Sequence, residues 1–340
     1  MKTIYKIFTT LVMLLIVSVC SNAATEQKSD LVHFYDHRWS DPTEPKSKLT
    51  IDQVANQLKG YDVIFFGELH NHPAIHLAQM ELFARLNRHN PQITLSLEQF
   101  ERDTQPLLDQ YLAREIGENF LAEQARAWDN YRSSYRPLIE FARDRQLPVI
   151  AANAPKQMVV CVGRKGLKVL DKYPTDQRKH VAQNIDLSDG PYRQKFFDFM
   201  SKDSPHKTPS DKTSQKIMQT MSQRSFAAQM VRDETMAESI AHHLKEHPDR
   251  QVLHLNGAFH SSSFLGAVER LQHRRPELKI AVIHPKTIRD KVPADASKPL
   301  GTLLIEVLPI PDKFVKPENH SKWLHKMMKK RMESRKNCPD

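Results

Sequence analysis

Four residues that could carry chemistry, two glutamates and two histidines, stand at or just after the ends of short apolar segments. They are Glu68, His70, Glu98 and His260. Two carboxylates with two imidazoles are a suitable ligand set for a divalent metal ion such as Zn²⁺ or Mn²⁺. The same set could perform general acid–base catalysis, in which a carboxylate orients a histidine. The structural alternative is that the glutamates cap the following helices and the histidines are ordinary polar residues at a sheet edge.

The apolar segments that must position these residues alternate with helical patterns along the chain. Strands are predicted at 61–67, 93–97, 147–152, 251–256, 278–283 and, at the sheet edge, 303–308. This alternation predicts an α/β fold, with a mainly parallel sheet and helices on both of its faces. Ligands bind just past the carboxyl ends of parallel strands, so we expect the four residues to lie together at that edge.

Helical patterns fill most of the intervals between the predicted strands. They cover 51–59, 73–90, 105–126, 135–145 and 263–274. Residues 155–247 contain no convincing strand, so we predict a helical subdomain insertion at about 160–225. One long helix at 224–245 then returns the chain to the sheet. The sequence has neither a G-x-G-x-x-G fingerprint nor a Walker loop, which argues against a nucleotide site.

A second group of polar residues could contact a cofactor near the same edge. It comprises His76, Asn153, Gln229 and Asp233. Asn153 follows the third predicted strand. Asp233, on the long helix, could hold a site histidine in place or could belong to a salt-bridged surface. His76 lies four residues after His72 at a helix start, where a solvated helix face is favoured over a ligand role.

The N-terminal residues 1–23 have the pattern of a secretory signal peptide. Lys2 and Lys6 precede an apolar run at 11–19, which is short for a helix that spans a bilayer. Cleavage at the end of this segment is one route to a mature protein. A lipobox-like sequence that ends at Cys20 offers another, in which this cysteine is acylated and becomes the first residue. We therefore expect an exported protein, in the periplasm or associated with the outer membrane.

The predicted α/β domain spans 50–310 and follows a polar segment at 24–49 that is either a linker or a loosely docked arm. The net charge of the chain is +10, but residues 320–340 alone carry seven basic and two acidic residues. Most of the excess charge belongs to this tail, so nucleic acid is not an expected partner. Apolar residues at helical spacing within 311–340 predict a basic amphipathic helix. Such a helix could rest on an anionic membrane or a partner, or could dock on its own domain.

The sequence contains three cysteines, Cys20, Cys161 and Cys338. Cys338 lies in the polar tail, and Cys20 is removed or acylated in an exported chain. We therefore expect no structural disulfide and a fold that depends on its apolar core. The hydrophobic fraction of 39% is enough for one sizeable core and too small for a membrane bundle.

Five sequence blocks, taken in order, resemble the ChaN-like haem-binding uptake proteins. The blocks are 67–70 with His76, 97–105, 135–143 with 148–153, 229–237 and 255–260. The resemblance covers about 51–310, which is most of the mature chain. It implies an α/β fold with a helical subdomain, an exported and often lipid-anchored location, and haem handling linked to iron acquisition. It does not identify the axial ligand of a haem, because tyrosine and histidine can both bind haem iron.

The ChaN-like proteins belong to the wider Tiki/TraB/erythromycin-esterase superfamily, in which some relatives are metal-dependent proteases or esterases. The functional residues of those relatives match Glu68, His70, Glu98 and His260. The resemblance therefore favours an exported haem-binding protein of haem or iron uptake, as a homodimer around its haem. The alternative is a metal-dependent hydrolase, esterase- or protease-like, that uses the four residues around an activated water. A scaffold with a vestigial site is a third hypothesis.

Overall fold

Seven strands form one sheet in the computed structural model, which describes residues 30–44, 47–202, 211–290, 299–333 and 338–339. The strands are β1 (His37–Ser40), β2 (Val63–Glu68), β3 (Ile93–Glu101), β4 (Val149–Asn153), β5 (Gln251–Gly257), β6 (Ile280–Thr287) and β7 (Leu303–Val307). They lie in the order β1-β7-β6-β2-β5-β3-β4. Strand β1 pairs antiparallel with β7, and the other neighbouring strands pair in parallel. The structure confirms the prediction of a mainly parallel sheet.

Helices cover both faces of this sheet. They are α1 (Ile51–Gln57), α2 (Pro73–His89), α3 (Gln105–Leu112), α4 (Glu118–Gln124), α5 (Arg136–Asp144), α6 (Lys156–Lys165), α7 (Thr175–Arg178), α8 (Pro191–Lys202), α9 (Lys212–Glu246), α10 (Ala267–Arg274) and α11 (Pro317–Glu333). Successive strand residues point to opposite faces. Ile64 and Phe66 of β2 thus join the core cluster that includes α2 and α5. Val63 and Phe65 join the cluster that includes α9 and α10.

The segment that the sequence predicts as a linker, 24–49, contains an edge strand. In this segment β1 pairs with β7, and Trp39 is buried against Phe66 with ring centroids 5.6 Å apart. Arg38 forms an ion pair with Glu306 on the neighbouring strand. The linker interpretation missed this strand because a four-residue strand is too short to show a clear alternation of polar and apolar residues.

The long helix α9 begins at Lys212, twelve residues before the predicted start at 224. The side chain of Asp211 accepts a hydrogen bond from the backbone N–H of Ser214 and caps this helix. Residues 212–223 are mostly polar and have only three large apolar residues, Ile217, Met218 and Met221, so the sequence shows no sustained apolar stripe there. The predicted helical stretch 105–126 is also divided, into α3 and α4, where Arg114 adopts a left-handed backbone with φ of 64°.

A disulfide joins Cys161 to Cys338, so the expectation that the fold has no structural disulfide was wrong. Cys161 is completely buried in α6, and Cys338 packs against the same apolar cluster, which includes Val162 and Val231. The expectation failed because the polar residues around Cys338 suggested a detached tail. The Nζ of Lys165 also donates to the carbonyl of Pro339, so the end of the chain is held on the α6 surface.

The predicted signal peptide and its possible acylation site at Cys20 lie outside the described residues. Among the helices that the structure does describe, none is long and apolar enough to cross a membrane. The basic tail does contain a helix, α11. From Pro317 to Met327 its side chains are exposed, except for Trp323 and Leu324, which are half-buried.

Candidate functional site

The structure brings all four predicted site residues to the carboxyl edge of the sheet. Glu68 is the last residue of β2, and His70 follows it in the loop before α2. Glu98 lies where the pairing of β3 with β4 changes register between Leu97 and Glu101, and such a bulge re-aims the side chains near it. His260 ends a short 3-10 turn, Ala258–His260, that directly follows β5. Four residues distant in sequence therefore share one edge.

Glu68 and His70 form the first of two acid–imidazole pairs. The Nδ1 of His70 lies 2.8 Å from Oε1 of Glu68. The same carboxylate accepts hydrogen bonds from the hydroxyl of Tyr135, at 2.6 Å, and from the amide of Gln79, at 3.0 Å. The Glu68 side chain is fully buried, whereas 47% of the His70 side chain is exposed. The pair thus presents a surface imidazole that a buried carboxylate orients.

Glu98 and His260 form the second pair, which is almost entirely buried. The Nε2 of His260 lies 3.4 Å from Oε1 of Glu98, and its Nδ1 lies 2.6 Å from Oδ1 of Asp233. Asp233 also accepts a hydrogen bond from the hydroxyl of Tyr192, at 2.7 Å. The backbone N–H of Gly257 donates to the other oxygen of Glu98, at 2.6 Å. His260 is therefore held between two carboxylates.

These contacts move the pKa values of both pairs. The hydrogen bond to Glu68 raises the pKa of His70. Burial opposes the charged form of His260, but the charges of Asp233 and Glu98 prevail and raise its pKa to about 10. Burial also opposes ionisation of Glu98 and Glu68, yet their histidine partners hold the pKa values of both carboxyls below the ordinary value. At neutral pH His260 is therefore a buried cation between two anions.

Gly257 lies between the two pairs, and its lack of a side chain leaves the room that the ring of His70 occupies. A Cβ atom at this position would lie 2.9 Å from Nε2 of His70 and 3.6 Å from Oε2 of Glu98. The first distance is too short for any real contact, so only glycine lets the His70 ring reach Glu68 beside β5.

Gly257→Ala is therefore expected to displace the ring of His70 and break its hydrogen bond to Glu68. The pKa of His70 should then fall toward the ordinary histidine value, because that bond raises it. NMR titration of the His70 ring protons measures this change. Gly60→Ala is the matched control, because a Cβ at Gly60 would meet no atom within 4 Å. An unchanged titration of His70 in the Gly257 variant would contradict this geometry.

The four predicted cofactor contacts take supporting positions around the pairs. His76 is buried, with Nδ1 3.0 Å from the amide oxygen of Gln79. The side-chain amide of Asn153 donates to the backbone carbonyl of Glu98 and accepts from the backbone N–H of Ala154. Gln229 donates to the hydroxyl of Tyr192 and approaches Nδ1 of His260 at 3.2 Å, and Asp233 bonds that nitrogen directly. The structure therefore does not bring His76 or Asn153 to the open side of the site.

His72 and His76 do not lie on a solvated helix face, contrary to the favoured interpretation of the sequence. His72 is completely buried, and its Nε2 lies 2.8 Å from the carbonyl oxygen of Leu308. Both residues begin α2 at the carboxyl edge, where the segment after β7 and the ring of Tyr135 cover them.

Sequence reasoning missed several partners of the site. Gln79 donates to Glu68, and Tyr192 donates to Asp233. Trp128 packs edge-on against His70 with ring centroids 5.2 Å apart. Gln79 carried a weak signal, because it is a polar residue on the otherwise apolar face of α2. Trp128 carried none, since it lies in a loop between α4 and α5 whose path the sequence does not determine.

In the described part of the chain, no three His, Cys, Asp or Glu side chains are arranged to hold a metal ion. Both oxygens of Glu68 and both of Glu98 already have protein partners. The two predicted carboxylate ligands are therefore already engaged within the protein, and the divalent metal site stays a prediction.

The fold and the site define an α/β protein with two acid–imidazole pairs at the carboxyl edge of its sheet. A family model described as haem-binding uptake, Tiki superfamily, ChaN matches residues 54–271. The chain belongs to this family. No curated protein matches the sequence.

Solved structures with a similar fold include one titled "Cofacial heme binding to ChaN of Campylobacter jejuni". Its chain is 17% identical, the match covers 81% of this chain and 98% of that one, and the TM-score is 0.58. A mutant of the erythromycin esterase EreC in its open conformation is 13% identical, with 86% and 87% covered and a TM-score of 0.44. The type III effector HopBA1 is 12% identical, with 76% and 94% covered and a TM-score of 0.43. Only the first of these similarities is close enough to show the fold.

Proposed function

We propose that this protein binds haem at the carboxyl edge of its sheet, as an exported protein of haem or iron uptake, and that His70 is the axial ligand. The observation that carries the proposal is the half-exposed imidazole of His70 above the buried carboxylate of Glu68. Membership of the haem-binding family supports haem as the ligand. The ChaN relative of Campylobacter jejuni is described as binding haem cofacially, which also supports it.

The donor chemistry of this pair suits haem iron. A histidine that binds a metal usually donates its other ring N–H to a carboxylate, which orients the ring and makes the free nitrogen more basic. Glu68 plays this part for Nδ1 of His70. Among the described residues Nε2 of His70 has no hydrogen-bond partner, so it can serve as the axial ligand. Trp128, which packs against this ring, offers an aromatic surface beside a bound porphyrin.

The other histidines near this edge are less suited to bind iron. His260 has both ring nitrogens directed at carboxylates and is only 9% exposed in its side chain. His72 uses Nε2 on a backbone carbonyl, and His76 is buried. Within the described site, His70 thus combines an available nitrogen with exposure to solvent.

Titration of the purified protein with haemin should give a saturable Soret band distinct from that of free haemin. His70→Ala should weaken haemin affinity at least about tenfold and shift that band, because loss of a carboxylate partner alone typically costs 10–100-fold in metal affinity. His89→Ala is the matched control, because His89 is exposed at the far end of α2, away from the carboxyl edge. Weak, non-saturable association would sink the proposal, as would equal affinity of the two variants.

A metal-dependent hydrolase is the second candidate, favoured by the convergence of two acid–imidazole pairs on one edge. Elemental analysis of the purified protein for Zn²⁺ and Mn²⁺ tests it directly. Stoichiometric metal that Glu98→Gln abolishes would support the hydrolase, whereas its absence from protein that binds haemin would favour uptake.

We further propose export, membrane association through an acylated Cys20 or the basic tail, and a homodimer in the haem-bound state. The disulfide supports export, because disulfides form and persist mainly in oxidising compartments outside the cytosol. Mass spectrometry of fractionated cells would identify the first residue and any lipid on Cys20. Light scattering with and without haemin would measure the dimer.

A further inference from the structure

We propose that one corner of the protein, where β1 begins and β6 and β7 end, docks on the surface of an anionic lipid bilayer. This docking corner combines exposed apolar side chains with a basic helix. The proposal does not rest on haem binding, and it assigns membrane association to a particular surface of the folded domain that acts without a covalent lipid.

The apolar part of the docking corner consists of six exposed side chains from three segments. They are Val32, Phe34, Tyr35, Ile288, Ile310 and Val315, and their exposed fractions run from 38% to 92%. Single exposed apolar residues are common on protein surfaces, but several together mark an interaction site. Two of the six are aromatic, and aromatic rings favour the boundary between lipid headgroups and acyl chains.

Strand pairing brings these three segments to the same end of the sheet. His37, the first residue of β1, pairs antiparallel with Val307, the last residue of β7. The chain before β1 and the chain after β7 therefore leave the sheet together. The backbone N–H of Ile288, just past β6, donates to the carbonyl of the same Val307, at 3.0 Å. One residue pair thus lies next to all three segments.

The basic part of the docking corner overlaps the end of the apolar part along the chain after β7. Its exposed lysines are Lys313, Lys316, Lys322 and Lys326. They lie in α11 and in the segment that leads into it, and 312–327 contains two acidic residues, Asp312 and Glu318. Lysines next to an anionic membrane each contribute about 1 kcal/mol of attraction. The side chains of α11 that the structure describes are mostly exposed, so the lysines among them face solvent.

Local ring contacts support the start of α11, and a disulfide tethers the chain beyond its end. At its start, Phe314 packs against Trp323 with ring centroids 5.9 Å apart, and Nζ of Lys313 lies 3.5 Å from the Trp323 ring centroid. Beyond its end, Cys338 is joined to Cys161. The disulfide limits how far the end of α11 can move from the domain, which lowers the entropic cost of docking the helix.

Charge and chain path identify a bilayer as the occupant. A second copy of the chain would bring like charges together at this surface, whereas an anionic bilayer is complementary to them. The described chain also enters the domain at this corner, because residues 31–36 lead into β1.

Vesicle co-sedimentation of the exported chain with Cys20→Ser, which cannot be acylated at that position, tests the proposal. The protein should bind vesicles of phosphatidylglycerol mixed with phosphatidylcholine and should bind phosphatidylcholine alone much more weakly. Lys322→Glu with Lys326→Glu should weaken binding to the mixed vesicles at least about 30-fold. Phe34→Ser with Tyr35→Ser should weaken it independently, and added salt should reduce the binding of the parent.

Lys59→Glu with Lys279→Glu is the control for charge, since both lysines are exposed at the opposite edge of the sheet. This variant should bind the mixed vesicles nearly as well as the parent. Equal losses in the two charge variants would overturn the proposal, as would equal binding to the two kinds of vesicle. Light scattering tests the alternative that a second copy of the chain occupies this surface. That alternative holds if the parent does not bind vesicles and forms a dimer that the Lys322→Glu and Lys326→Glu substitutions dissociate.

Discussion

Replacing His260 with alanine is expected to lower the free energy of unfolding by about 3–5 kcal/mol at neutral pH. The imidazole bonds Asp233 and contacts Glu98, and both carboxylates are almost completely buried. Without it two anions remain close together, out of water and without a cation. Removal of one partner from a buried ion pair lowers the free energy of unfolding strongly for this reason. The net contribution of the complete cluster to that free energy is much smaller.

The effect should depend on pH in a defined direction. The pKa of His260 is raised from 6.5 to about 10 in the folded protein, so its stabilisation is fully present below about pH 6.5. It is lost as the pH rises through about 10, where the folded protein also releases the proton. Urea unfolding of the wild type and the variant at about pH 6, 8 and 10 should show the difference narrowing with pH.

Two variants separate this electrostatic effect from loss of packing. Adding Glu98→Gln to His260→Ala should restore part of the stability, because it removes one of the two uncompensated charges. His273→Ala, at an exposed position on α10, should change stability little. A loss below about 1 kcal/mol in His260→Ala, or no recovery in the double variant, would show that the cluster does not hold a buried cation.

The positions of the four site residues could be predicted because strand ends are visible in the sequence. Each lies at or just after an apolar run with an abrupt end, and parallel strands must bring their carboxyl ends to one edge. The sequence around His254, between Leu253 and Leu255, predicts a buried side chain for a related reason. This residue lies inside a strand with apolar neighbours, and the structure buries it with Nδ1 2.9 Å from the hydroxyl of Ser96.

What surrounds those residues could not be predicted, because it depends on contacts between distant segments. Tyr135 reaches Glu68 across 67 positions and Tyr192 reaches Asp233 across 41. No local pattern records such contacts. The edge strand β1 was missed for a similar reason, because its partner β7 is distant in the sequence. Its four residues are also too few to show an alternation of polar and apolar side chains.

The disulfide is the largest departure from the sequence prediction, and its removal should lower the free energy of unfolding by about 2–4 kcal/mol. Cys161 and Cys338 are 177 positions apart, so the bridge closes a long loop in the unfolded chain and restricts its conformational freedom. Cys338→Ala is the suitable variant, because the Cys161 thiol can remain in its apolar cluster as a small hydrophobic group. Urea unfolding with and without dithiothreitol measures the change.

Dithiothreitol should destabilise the wild type to the level of the variant and leave the variant unchanged, because both treatments remove the same bond. Thiol titration under denaturing conditions should find two additional free thiols in the wild type after reduction. If the reductant has no effect on the wild type, either the bridge does not form or the tail contributes nothing to global stability, and the thiol count separates these outcomes. Loss of vesicle binding on reduction, at a concentration of urea where the domain stays folded, would further show that the tether of the tail to α6 contributes to docking.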